Sequence, residues 1–111
     1  MKQEGNGFEE RLSGLKRLEE STGQSVVAAF LQQGETDLAT LRLALSQEDL
    51  ATFAGAAHAL AGSAGILGAA DLSSRASELA TLARQGNLNA CKERLPELEQ
   101  AWSNTAGRLQ A

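Results

Sequence analysis

Large apolar residues recur along this chain at spacings of three, four and seven, the interval of one buried face on an α-helix. After a flexible tail at residues 1–7, Phe8 to Glu20 reads as a first, mostly polar helix with Leu12, Leu15 and Leu18 on one side. Ser21-Thr22-Gly23 ends it. A second helix is expected from about Gln24 to Leu45, with Val27, Leu31, Leu38, Leu41 and Leu45 in register. Gly34 either interrupts this helix or lets a neighbour approach closely. A third runs from about Gln47 to Leu67, with Ser46 as its N-cap and Asp49 completing a partial capping box. A fourth spans Ala69 to Arg84 with Leu72, Ala76, Leu79 and Ala83 inward, and Asp71 in its first turn suits the helix dipole. Gln85-Gly86-Asn87 forms the next turn. The fifth helix covers Leu88 to Leu109, with Cys91, Leu95, Leu98, Trp102 and Leu109 in line and Pro96 kinking it. Short turns between long amphipathic helices favour antiparallel neighbours. The pattern predicts an all-α, antiparallel up-down four-helix bundle with an additional N-terminal helix, as one domain over residues 8–111.

Composition narrows the function classes. Leu and Ala dominate, tyrosine is absent and Pro96 is the single proline, as suits a helical protein. A formal net charge of −4 argues against nucleic acid and against an anionic membrane surface. Cys91 is the only cysteine; it cannot form an internal disulfide and reads as a small core residue. A reducing, cytoplasmic setting is the expectation, and the polar start MKQEGNGFEE lacks the apolar core of a signal peptide. Leu50 to Ala70 contains no formally charged residue and is long enough to span a bilayer. Its Gly and Ala content, its His and its one-sided large residues instead suggest a buried or partner-facing helix.

That third helix holds the candidate chemistry. At about 100° per residue, Leu50, Phe53, Ala57, Leu60, Ala64 and Leu67 form one seam. His58 lies outside the seam, and its expected neighbours toward solvent are Ala51, Ala54, Gly55, Ala61, Gly62 and Gly65. An ordinary exposed face would carry Glu, Lys and Gln. Each glycine costs helix stability, on the order of 1 kcal/mol relative to Ala, so three of them require a reason. Another surface that must come close to the backbone around His58 would supply it. The residues alone leave two readings open, a close-packed dimer contact and an accessible reactive imidazole. A neutral imidazole, with an ordinary pKa of about 6.5, is a nucleophile near pH 7. Phosphoryl transfer asks mainly for positioning and charge neutralisation.

Residues 57–69, Ala57-His58-Ala59-Leu60-Ala61-Gly62-Ser63-Ala64-Gly65-Ile66-Leu67-Gly68-Ala69, resemble the signature of histidine phosphotransfer (HPt) domains, A-H-x-L-K-G-S-[SA]-x-x-x-G-A. Leu72, Phe30-Leu31 and Asp49 continue the likeness, which covers about Leu12 to Leu109. The resemblance implies that His58 accepts a phosphoryl group through Nε2. It implies receiver domains with a phosphorylatable aspartate as partners, and a hybrid sensor histidine kinase as a further one. The chain would be a monomer with no kinase or ATPase activity and no cofactor of its own, Mg²⁺ coming from the receiver. Ala61, Gly62, Ser63, Gly65 and Arg84 would surround the phosphoryl group. Ala51, Ala54, Gly55, Gly62 and Gly65 would form the docking face, with Leu43, Gln47 and Arg84 at its rim. Two departures stand out. Ala61 occupies the place of the family's usual Lys, and Ala80 that of a frequent Gln. Arg84, one turn further on, matches an Arg found in some members and would take over part of the charge neutralisation; Arg75 is a weaker candidate.

Two rival readings remain: a non-catalytic adaptor that docks a receiver or other partner, and a homodimer closed through the Gly/Ala face. The sequence shows no nucleotide loop, metal-ligand spacing or catalytic triad. One His and one Cys do not make a zinc site. Ser63 has no accompanying base and reads as a residue that bonds backbone or helps shape the phosphoryl site.

Overall fold

The computed structural model describes residues 7–14 and 26–110. They form α1 (residues 7–14), α2 (Val26–Ser46), α3 (Leu50–Leu67), α4 (Ala70–Arg84) and α5 (Leu88–Gln110). The expected all-α bundle with an added N-terminal helix is the fold. Gly7, assigned above to the tail, opens α1. Leu15, Leu18, the Ser21-Thr22-Gly23 break and residues 1–6 lie outside the described residues.

Helix α3 packs between α2 and α4, and α5 closes the bundle against α4 and α2. Its seam is the centre of the core: Phe53, Ala57, Leu60 and Ala64 are fully buried, facing Leu38, Leu41, Leu72, Leu79, Cys91 and Leu98 from the other helices. Among the described residues α3 is the one helix long and apolar enough to cross a membrane; here that apolar seam faces the bundle.

The ends of the helices explain the turns. Gly68, at φ 86°, ends α3 in the left-handed conformation, and the Ala69 N–H closes back on the Ala64 carbonyl at 2.9 Å, a glycine-dependent stop. Gly86, at φ 75°, serves the α4–α5 turn, and Asn87 Oδ1 caps α5 by accepting from the Ala90 N–H. The start of α3 corrects one expectation. Ser46 is not its cap but the last residue of α2, where its hydroxyl donates to the Leu43 carbonyl at 2.7 Å. Asp49 is the N-cap, taking the Thr52 N–H on Oδ1 and the Thr52 hydroxyl on Oδ2. Those two bonds, led by the hydroxyl, hold its carboxyl below the ordinary carboxylate range. Helix α2 runs one residue longer than expected, so the turn 47–49 brings a charged acceptor to the helix start. Helix α5 continues through Pro96; the carbonyl of exposed Lys92 loses its helical partner to the missing N–H.

Helix α1 closes one end of the bundle. Phe8 and Leu12 are buried, and the Arg11 guanidinium donates to the carbonyls of Gly65 and Ile66 at 2.9 and 2.7 Å. These are last-turn acceptors of α3, which a cation satisfies well. Arg108 of α5 stacks over the Phe8 ring at 4.1 Å and pairs with Glu9.

One buried polar group opposes folding. Asp37 on α2 is 7% exposed; its Oδ1 accepts from the Gln33 amide, and its Oδ2 has no partner. Burial pushes its carboxyl above the ordinary range, with the Gln33 bond acting against that rise. The folded state therefore binds the proton more tightly than the unfolded chain. Asp37 stabilises the fold when protonated and loses that contribution as pH rises from the ordinary carboxylate range through the folded value. Asp37→Leu is expected to raise stability at pH 7 by about 1 kcal/mol, the low end for an unsatisfied buried group. The gain should shrink as pH falls toward 4, which urea unfolding at the two pH values measures.

Candidate functional site

Within α3, His58 is exposed, as are Ala51, Gly55, Gly62 and Gly65. Ala61 is half-buried. Ala54, expected on the same face, is instead buried at 6%. It lies about 40° round the helix from His58 toward the core seam, and its single methyl fits the packed interior where a longer side chain would not. The docking face is therefore narrower than expected on that side.

The glycines divide by physical role. A Cβ built at Gly55 or Gly62 meets nothing within 4 Å, and at Gly65 it would only touch Ser73 Oγ at 3.4 Å. No packing inside the domain therefore calls for glycine at positions 55 and 62, although each costs helix stability. The result is a bare backbone strip on either side of the imidazole.

His58 stands on the α4 side of this face. It is about 20° round α3 from Gly65 and about 60° from Ala61. Ser73 of α4 fixes the register: its hydroxyl donates to the Ala61 carbonyl at 2.8 Å. From that point His58 lies one turn back along α3, about 4.5 Å. Because α4 runs antiparallel, Ser77 lies one turn onward, about 6 Å in the same direction, and Thr81 a further turn beyond. Side chains lean toward the N-terminus of their own helix, so the imidazole falls between the levels of Ser77 and Thr81. Arg84 starts further along but leans back toward that level. Ala80, the counterpart of the family's Gln, is buried at 2%.

The cations sort similarly. Arg75 is held at 3.2 Å by both Asp71 and Glu97, on the α5 side of α4. It is not a phosphoryl ligand in this arrangement. Arg42, Arg94 and Arg108 are likewise paired, with Glu99, Glu78 and Glu9. Arg84 is exposed and makes no ion pair among the described residues. Ser63 donates to the carbonyls of Ala59 and Leu60 at 3.3 and 3.2 Å, the backbone bonding that was one of its two expected roles. Leu43 at 59% and Gln47 are exposed near the α2–α3 turn. Among the described residues no group of three or more His, Cys, Asp or Glu is placed to hold a metal.

What the sequence reading missed is on α4. Ser77 and Thr81 are exposed and line an open groove of about 860 Å³ that continues past Ser73 and Gly65 to Arg11. The signal was present as the i, i+4 spacing of Ser73, Ser77 and Thr81, but it acquires meaning only once the α3–α4 register is known.

The family model described as the Hpt domain matches residues 25–108, from the start of α2 to the end of α5, leaving α1 outside. Neither the curated proteins nor the solved structures give a match to this chain. A four-helix bundle, an exposed imidazole on its bare helix and a match over most of the length agree: the chain belongs to the Hpt domain family.

Proposed function

We propose that this domain is a phosphorelay intermediate, taking a phosphoryl group onto His58 from a receiver-domain aspartyl phosphate and passing it to another receiver. The observation that carries the reading is the exposed imidazole flanked by Gly55 and Gly62, whose missing side chains serve no packing within the domain. In the forward step the Nε2 lone pair attacks phosphorus and forms an N–P bond. The P–O bond to the aspartate breaks, and its electron pair leaves with the carboxylate; the proton on Nδ1 stays on the ring. The reverse step loads the second receiver. The receivers supply Mg²⁺ and most of the cationic groups, so this chain contributes one positioned nitrogen and Arg84 as its own charge. The setting is cytoplasmic, where such receivers reside, and the domain acts as a monomer, since a dimer through this face would bury His58.

Incubation with a panel of phosphorylated receivers tests the reading: label should appear on the chain from at least one. The absence of Lys at position 61 supports a second reading, an adaptor that docks receivers without accepting phosphate. Binding without transfer across the panel would favour it. Ala61→Lys is expected to raise the phosphorylated fraction at equilibrium with a receiver by roughly threefold, the lower end for a charge-assisted bond near solvent. Quantifying label on both proteins after equilibration checks this.

A further inference from the structure

Phosphoryl oxygens on His58 need donors, and Ala61 and Ala80 provide none. The α3–α4 register places Ser77 and Thr81 at levels on either side of the imidazole, and both are exposed along α4, as His58 is along α3. Their hydroxyls are uncommitted. Ser46, Ser63, Ser73, Thr36 and Thr40 all turn theirs onto backbone carbonyls. The hydroxyls of Ser77 and Thr81, like those of Ser74, Ser103 and Thr105, make no hydrogen bond among the described residues, although both sit in a helix where the carbonyl four residues back is available. Glu78, the acid that lines the groove beside them, is paired with Arg94 of α5.

Resting on the carrier reading above, we infer that Ser77 and Thr81 form a neutral hydroxyl clamp that binds the phosphoryl oxygens on His58 in place of the absent Lys. Each hydroxyl donates one hydrogen bond to a non-bridging oxygen. Arg84, reaching back along α4, is then the cation at the site among the described residues. The clamp gives a phosphohistidine held by hydrogen bonds more than by charge, and so favours onward transfer over retention.

The test is made on the full chain, phosphorylated with the small donor phosphoramidate so that no receiver is needed. Wild type is compared with Ser77→Ala/Thr81→Ala and with the hydroxyl-keeping swap Ser77→Thr/Thr81→Ser. The readout is the titration of the phosphoryl group followed by ³¹P NMR. Donors favour the dianion, so loss of both hydroxyls should make the group roughly fivefold to tenfold weaker as an acid, the lower end for two neutral hydrogen bonds. The swap should restore it. A helix made less stable would not move this titration, and Ala at exposed helix positions favours the fold. An unchanged titration in the double Ala variant, with wild type labelled on His58, overturns the clamp and leaves the carrier reading intact. Failure of wild type to take label on His58 overturns both.

Discussion

A single methyl group at position 34 should lower the stability of this domain by about 2–3 kcal/mol, the range for forcing atoms into a packed core. A Cβ at Gly34 would lie 2.0 Å from Cη2 and 2.3 Å from Cζ3 of Trp102. The indole cannot slide away freely. Trp102 is 4% exposed, its Nε1–H donates to Glu35 at 2.8 Å, and its ring packs against Phe30 at 5.5 Å between centroids. Ala should gain about 1 kcal/mol over Gly from helix propensity, so the overlap must outweigh a favourable term. The unfolding midpoint should fall by roughly 10 °C. A double-mutant cycle separates the two effects. In a Trp102→Leu background the ring is gone, and Gly34→Ala should become neutral or stabilising. Equal destabilisation in both backgrounds would mean that the ring does not set the requirement for glycine.

Gly34 also marks how far the sequence could be read. Its two expected roles, a break or a close approach, differ only in tertiary contact, and residues on one helix do not say which neighbour arrives. Helix α2 continues through it, and the indole arrives from 68 residues away in sequence. The seam of α3 was legible because its period is local: Phe53, Ala57, Leu60 and Ala64 are buried as their spacing required. Ala54 was misplaced for the same reason. A helical projection shows how far a residue stands from the seam but not how wide the neighbours make the buried arc, and in the bundle that arc reaches Ala54. At the start of α3, Ser46 and Asp49 are both good caps, and only the length of the turn decided between them. The exposure of His58 followed from the face it occupies. The level of Ser77 and Thr81 relative to it required the Ser73–Ala61 hydrogen bond, which sets the two helices in register.

The largest functional effect is expected at His58. It is exposed, and Gln at the same place is a good helix former of similar reach, so His58→Gln should fold as wild type does. It removes the ring nitrogen that forms the N–P bond and leaves the docking strip unchanged. Receiver binding should therefore persist while phosphoryl uptake falls to background. Ser63, the nearest hydroxyl in the motif, is turned onto backbone carbonyls and has no base to activate it, so it should not substitute. The decisive measurement is transfer of label from a phosphorylated receiver to wild type and to His58→Gln, followed by acid and base treatment of the labelled chain. Label on wild type that is lost in acid, survives base and is absent from His58→Gln is the predicted result. Label that persists in His58→Gln, or that survives acid as a phosphoserine would, would contradict His58 as the phosphoryl carrier.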